Sequence, residues 1–227
     1  MRSVRLVVFD LDGTLIDSSQ DLATAVNEAL GGLFPGAPTL ALDEVRSFVG
    51  SGAGVLVSRS LARAGLSARV EEVLPAFLAA YRRRLLDRTR LYPGVEEALG
   101  GLTGCTLAVL SNKPGDLSRE ILERLGIAHR FARVYGPQDV PARKPDAAGL
   151  LQIAAETGLA PEEGLMVGDS GIDVRTGRAA GMATAGVTYG YDMQGLAAER
   201  PEFLVDDLRR LLRLPDLVLG SRWSVLT

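Results

Sequence analysis

Asp10 and Asp12, two carboxylates separated by one residue, close the apolar run Leu6-Val7-Val8-Phe9 and are followed at once by Gly13 and Thr14. The run is rich in β-branched and aromatic residues and reads as a buried strand that delivers its last side chains to one edge of a sheet. Residues two apart on a strand share a side at about 7 Å separation, so Asp10 and Asp12 can face one small anionic substrate or one metal ion. Gly13 permits a sharp turn immediately afterwards. Two more polar clusters end apolar runs in the same way, Ser111-Asn112 after residues 106–110, and Asp169 with Asp173 after residues 165–167. Four carboxylates gathered in one pocket repel and raise one another's pKa unless a cation balances them. Carboxylate and carbonyl oxygens suit a hard ion, which makes Mg²⁺ the natural choice. Lys144, the hydroxyls of Thr14 and Ser111, and the N–H groups of the glycine turn are donors for a phosphate. A carboxylate nucleophile, a second carboxyl to handle the proton, a metal and phosphate donors together specify phosphoryl transfer through an aspartyl-phosphate.

The elements that must gather these clusters follow from periodicity. From residue 93 onward apolar strands alternate with helical patterns: a helix over 95–102, a strand over 106–110, a helix over 116–125 and a strand over 131–135. Next come a helix that Asp146 caps, running to 156, a strand over 165–167, a helix, a strand over 183–187, a last strand over 203–205 and a helix over 207–214. This is the pattern of an α/β protein, a Rossmann-like parallel sheet covered by helices on both faces. Ligands bind such sheets at the carboxyl ends of the strands, near the point where strand order reverses. All three polar clusters fall at that end. Between the first strand and residue 89 the signals are helical only: Ile16-Asp17-Ser18-Ser19 supplies N-cap residues, Leu22, Val26, Ala29, Leu30 and Leu33 repeat at helical spacing, and further helices follow over about 42–49, 54–64 and 70–86. The chain therefore divides into a core formed by residues 1–16 and 89–227 and an inserted all-helical cap domain, 17–88.

Composition narrows the partners. The 227 residues carry a net charge of −3 and are 47% hydrophobic, which fits a soluble globular chain with no basic surface for nucleic acid. No apolar stretch is long enough to span a bilayer, and Met1-Arg2-Ser3 leads directly into a strand, so a cytoplasmic protein with no membrane partner is expected. The expected partner is a small phosphorylated metabolite, and the chain a monomer or homodimer. With Cys105 as the one cysteine and His129 as the one histidine, thiol chemistry and a His/Cys zinc site are disfavoured. Of 25 Lys plus Arg residues only Lys113 and Lys144 are lysine. In a chain that otherwise uses arginine, a compact ammonium at these two positions points to crowded anion sites where a planar guanidinium would not fit.

Taken in order, Asp10 to Leu15, Ser111-Asn112, Lys144-Pro145 and Gly168-Asp169-Ser170 with Asp173 resemble the haloacid dehalogenase superfamily. Ser111-Asn112-Lys113-Pro114 and Gly186-Val187-Thr188-Tyr189-Gly190-Tyr191 are similar to its bacterial phosphoglycolate phosphatase group. The resemblance implies a Mg²⁺-dependent phosphatase of a small phosphomonoester, with 2-phosphoglycolate the substrate. It implies Asp10 as nucleophile and Asp12 as acid and then base. Gly13, Thr14, Ser111 and Asn112 would hold the phosphate, and Lys144 would offset its charge and orient Asp10. The metal would be held by the Asp10 side chain, the Asp12 carbonyl and Asp169, with Asp173 in support. Dehalogenases of the superfamily lack the second aspartate, and phosphonate hydrolysis needs a cap lysine that residues 17–88 do not contain. A phosphosugar mutase or pyrophosphatase also uses both aspartates and stays open, as does a non-catalytic phosphate-binding module.

Blander readings stand beside some of these residues. Ser111 could merely cap the following helix, and Asp173 could be a first-turn carboxylate favoured by the helix dipole. Gly50-Ser51-Gly52-Ala53-Gly54 either turns between two helices or presents a helix N-terminus to a substrate carboxylate, with Gly52 and Arg59 as cap specificity residues. Arg82-Arg83-Arg84 reads as a solvated helix face, Lys113 as either a contact to the substrate's remote end or a surface charge, and His129 and Trp223 as peripheral.

Overall fold

Strand β1 (Leu6–Phe9) is buried along its whole length, as a continuous apolar run in the middle of a parallel sheet should be. The computed structural model describes residues 4–216 and 224–225. It divides the chain into two compact units, one formed by Met1–Ile16 and Leu91–Thr227 and the other by Asp17–Arg90. The crossings are made at β2 (Ile16–Asp17) and β3 (Arg90–Leu91), which pair in a small separate sheet.

In the first unit the strands that join β1 are β4 (Thr106–Leu110), β5 (Arg133–Tyr135), β6 (Gly164–Gly168), β7 (Ala183–Val187), β8 (Phe203–Val205) and β9 (Ser224–Val225). Among the described residues they form one sheet of order β5-β4-β1-β6-β7-β8-β9, parallel at every pairing. The chain builds outward from β1 to β4 and β5, then jumps back across β1 to start β6. Strand order therefore reverses between β1 and β6, the doubly wound arrangement whose ligands sit in the crevice beyond the carboxyl ends of those strands. Register is tight there: Phe9 lies opposite both Val109 and Val167, and Asp10 N–H donates to the Val167 carbonyl at 2.9 Å. The helices of this unit are α5 (Val95–Gly101), α6 (Gly115–Arg124), α7 (Ala148–Thr157), α8 (Gly171–Ala179) and α9 (Met193–Glu199). Leu6 and Val8 turn to one face of the sheet with Ala108, Leu110 and Met166, and Leu150, Ile153 and Ala154 of α7 bury that face. Phe9 points to the other face, where its ring meets Phe131 edge-on.

Two elements of this unit differ from the sequence expectation. Residues expected as an α-helix over 207–214 form a 3₁₀ segment, Leu208–Asp216. Its buried leucines, Leu208 and Leu211, are three apart, the period of a 3₁₀ turn. The sheet also does not end at 203–205, because Ser224–Val225 adds a further edge strand; two residues carry too little pattern to be seen in sequence. Trp223 lies outside the described residues.

The second unit is helical throughout: α1 (Ser19–Leu33), α2 (Leu42–Arg46), α3 (Ala53–Arg63) and α4 (Val70–Arg83). Leu22, Val26, Ala29 and Leu30 of α1, Leu56, Val57 and Leu61 of α3, and Val73, Phe77 and Tyr81 of α4 are its buried stripes. The Phe77 and Tyr81 rings stack one turn apart. α1 is entered through Asp17, whose carboxylate accepts from Ser19 N–H and Oγ, while Ser18 at the N-cap position makes no side-chain cap bond. α2 stops three residues earlier than expected, and α4 stops at Arg83. The unit reaches Arg90 rather than residue 88 because buried Asp21 of α1 accepts from Arg88 N–H, Thr89 N–H and Thr89 Oγ, fixing residues 88 and 89 to the helices. Arg83 and Arg84 are not simply solvated: both bind Glu28 of α1, Arg84 through Nε at 2.9 Å.

Candidate active site

Asp10 follows the last residue of β1 and Asp169 follows the last residue of β6, so the reversal of strand order places them side by side. Both are almost fully buried, as is Asp173 in the first turn of α8. One oxygen from each of the three lies within 4.8 Å of the others. Lys144, on the loop before α7, enters this cluster with its Nζ 2.9 Å from Asp10 Oδ1 and 2.6 Å from Asp173 Oδ1. The contact to Asp10 is an ion pair without the alignment of a hydrogen bond, since Asp10 Oδ1 is enclosed and has no hydrogen-bonded partner. The other oxygen of Asp173 accepts from Ser170 N–H and Oγ, which makes Asp173 the third residue of the capping box of α8. The cap and site readings of Asp173 thus coexist.

The turn from Asp10 to Ile16 is folded around one carbonyl. Leu11 C=O accepts the N–H groups of Thr14, Leu15 and Ile16 at 3.2, 2.9 and 3.1 Å. Gly13 sits at φ +87°, where a side chain is strained, and a Cβ there would fall 2.2 Å from Asp169 Oδ2. The backbone must pass this close for the two carboxylate loops to meet. Thr14 Oγ1 is enclosed and finds no hydrogen-bond partner, an arrangement that costs about 1–3 kcal/mol unless a ligand supplies an acceptor. On the neighbouring strand end Ser111 and Asn112 are buried, and Asn112 Nδ2 donates to the Lys144 carbonyl at 3.1 Å, tying the second cluster to the lysine loop.

The charge pattern decides what the cluster can hold. Burial foremost, with Asp173 also raising it and Lys144 opposing, pushes the Asp10 carboxyl up to about 6. Burial, then Asp173 and Asp10, raises Asp169 well above the ordinary carboxylate range. Burial alone would lower Lys144, but Asp10 and Asp173 outweigh it and keep the ammonium charged. Ionisation of Asp10, Asp169 and Asp173 together would set three negative charges against one ammonium in a low-dielectric site, a deficit that one divalent, oxygen-preferring cation would close. The donor set therefore fits a hard metal ion.

Tyr189, Gly190 and Tyr191, which the sequence marked only through a family resemblance, also shape the site. Tyr191 N–H donates to Asp169 Oδ2 at 2.6 Å, and Tyr189 Oη donates to the Thr14 carbonyl at 2.8 Å. The Tyr189 ring packs on Tyr92 at 4.5 Å between centroids. A Cβ on Gly190 would lie 2.1 Å from Asp169 Cβ. The segment after β7 is therefore the clasp that aims Asp169. Its legible signal was a glycine between tyrosines just beyond a strand's carboxyl end. Lys113 is not a surface charge: it is buried, and its Nζ grips Asp12 at 2.9 Å from Oδ1 and 3.0 Å from Oδ2. Gly52 and Arg59 belong to the helical unit, Gly52 as the N-cap of α3 at φ +96° and Arg59 exposed on that helix. His129 is exposed, and Cys105 is half-buried with its thiol donating to the Val4 carbonyl.

A doubly wound parallel sheet with a buried cluster of carboxylates and a lysine at its switch point defines an α/β protein of the Rossmann-like class, with its candidate ligand site beyond the carboxyl ends of β1 and β6. The chain belongs to the haloacid dehalogenase-like hydrolase family, whose model it matches over residues 7–187. It is 42% identical to a phosphoglycolate phosphatase of Pseudomonas putida over 217 residues, covering 92% of this chain and 78% of that protein. It is 38% identical to one of Vibrio cholerae, covering 94% and 98%. A crystal structure of a predicted phosphoglycolate phosphatase from Haemophilus somnus superposes with a TM-score of 0.87 at 34% identity, covering 94% of this chain and 98% of that one. Among the described residues no helix is long and apolar enough to cross a membrane.

Proposed function

We propose that the protein is a metal-dependent phosphatase of small phosphomonoesters, with 2-phosphoglycolate as substrate, acting through an aspartyl-phosphate on Asp10. The observation that carries the reading is the buried cluster of Asp10, Asp169 and Asp173 around Lys144 at the strand-order reversal. The names of the relatives support the substrate.

In this reading an Asp10 carboxylate oxygen attacks phosphorus in line, and the bond from phosphorus to the leaving alkoxide breaks. Asp12 delivers its proton to that alkoxide, which is otherwise a poor leaving group; such assistance is worth about 10²- to 10⁴-fold. Water then attacks the phosphorus of the aspartyl-phosphate, Asp12 takes the water's proton, and the Asp10 carboxylate is released with inorganic phosphate. Thr14 Oγ1, the N–H groups of the glycine turn, Ser111 and Asn112 hold the transferring group, which gives the enclosed Thr14 hydroxyl its missing acceptor. Lys144 holds Asp10 in place and offsets charge on the phosphoryl oxygens. Mg²⁺, held by the Asp10 side chain, the Asp12 carbonyl and Asp169 with Asp173 in support, would supply charge stabilisation to the same oxygens. The helical unit, with Gly52 and Arg59, is proposed to contribute substrate choice.

The test is a panel of phosphoesters assayed with and without Mg²⁺, using wild type and Asp10→Asn. Cation-dependent phosphate release that peaks on 2-phosphoglycolate and vanishes in Asp10→Asn is expected. No release from any ester would end the enzyme reading, and preference for a sugar phosphate would end the substrate assignment.

A further inference from the structure

The phosphoryl-transfer steps give the ion pair between Lys113 and Asp12 no role. Lys113 is one of two lysines in the chain, and its side chain is 5% exposed against 10% for Asp12. Its Nζ sits almost equidistant from both Asp12 oxygens. Its backbone is fixed as well: Lys113 N–H donates to Ser111 Oγ at 3.3 Å, and a Cβ on Gly136 would lie 2.6 Å from the Lys113 carbonyl, so the 113–115 segment is packed against a position that only glycine can fill. The ammonium is therefore presented at one place, beside the residue that must serve the leaving group.

That placement has a geometric consequence. To serve the leaving-group oxygen, Asp12 must turn one of its own oxygens to within about 3 Å of that atom. Doing so gives up part of the two-oxygen grip on the ammonium, and a second anion beside Lys113 Nζ can take the place that Asp12 vacates. In a phosphate ester of a 2-hydroxy acid, the carboxylate is attached to the carbon that bears the ester oxygen. Bond lengths near 1.5 Å place its oxygens about 3 Å from the ester oxygen. A substrate whose ester oxygen meets Asp12 can thus place its carboxylate within reach of Lys113 Nζ, which stands 2.9 and 3.0 Å from the two Asp12 oxygens.

We propose that Lys113 is the specificity residue of this site: it receives the carboxylate of the leaving group when Asp12 turns to the ester oxygen, and so selects phosphate esters of 2-hydroxy acids over esters of simple alcohols. The proposal rests on the phosphatase reading above. It replaces a contact with Asp12 by a contact with substrate and involves no covalent change at Lys113.

The experiment compares kcat/KM for 2-phosphoglycolate with that for ethyl phosphate, which carries a methyl group where the carboxylate would be, in wild type and in Lys113→Met. Rates on both esters fall in the variant because Asp12 loses its partner, so the readout is the ratio. A charge-assisted hydrogen bond to the carboxylate predicts that Lys113→Met lowers the ratio by about ten- to a hundredfold, mainly through KM for 2-phosphoglycolate. An unchanged ratio with both rates reduced would overturn the proposal and leave Lys113 as a positioning residue for Asp12. A wild type with phosphatase activity but no preference for 2-phosphoglycolate would overturn the substrate assignment and the proposal together. Should Lys113→Met not fold, Lys113→Gln, which keeps a donor without the charge, gives the same two readouts.

Discussion

In the proposed reaction Asp10 would meet two demands that oppose each other. Attack on phosphorus needs the carboxylate ionised, yet its surroundings raise its pKa from 3.8 to about 6. A carboxyl raised in the fold stabilises the folded state below its unfolded pKa, and that contribution is lost as pH rises through the folded value. In metal-free protein, stability relative to Asp10→Asn should thus fall between pH 4 and 7 by about 3 kcal/mol, spread over Asp10 and its neighbour Asp169. Denaturant unfolding of both proteins across that window measures it, and parallel pH courses would contradict the assignment. The same residue scale separates the two aspartates of the first loop. Asp10→Asn should abolish formation of a phosphoenzyme, read by mass spectrometry after rapid quenching. Asp12→Asn should still bind phosphate but turn over about 10²- to 10⁴-fold more slowly.

At the scale of elements, the site is an alignment of strand ends held by the loops that follow them. The segment after β7 acts on Asp169 through the Tyr191 N–H and on the Asp10–Ile16 turn through Tyr189 Oη. Gly190→Ala should push Asp169 aside, because the new Cβ would meet that residue's own Cβ at 2.1 Å. The expected outcome is a folded protein whose divalent-cation affinity, measured by calorimetry, falls at least about tenfold. In the helical unit, Asp21 is the corresponding tie. Asp21→Ala leaves the N–H groups of Arg88 and Thr89 without their acceptor and should destabilise the protein by about 2–4 kcal/mol in denaturant melts, from several lost charge-assisted hydrogen bonds. The apolar strands and the buried helical stripes were legible in sequence because their periodicity reports burial directly. The 3₁₀ segment at Leu208–Asp216 was not, because apolar residues three apart suit an α-helix and a 3₁₀ turn alike, and the strand at Ser224–Val225 was not, because its pairing with β8 determines it.

For the whole molecule, three carboxylates against one lysine mean that cation binding and folding should be linked. At a free Mg²⁺ concentration 100 times the dissociation constant, binding to the folded state alone adds about 2.7 kcal/mol. A chelator should lower the melting temperature of wild type at neutral pH and leave a variant lacking Asp10 and Asp169 almost unaffected. Equal chelator effects on both proteins would rule out a cation at this cluster.

The order of the polar clusters was enough to place Asp10, Asp12, Ser111, Asn112, Asp169 and Asp173 at one end of a parallel sheet, because in such sheets every strand's carboxyl end faces the same side. Residue types supplied the chemistry: carboxylates, a lone pair of lysines and a glycine turn have few common uses. Which partner each side chain takes was decided only by the tertiary structure. That Lys113 grips Asp12, that Lys144 bridges Asp10 and Asp173, and that Tyr189 and Tyr191 brace the other two loops are contacts between residues up to 175 positions apart. Spacing along a chain fixes the direction of a side chain relative to its neighbours in the same element. It carries no information on which of two lysines meets which of four aspartates, since that depends on the register and close approach of strands that the sequence does not list side by side.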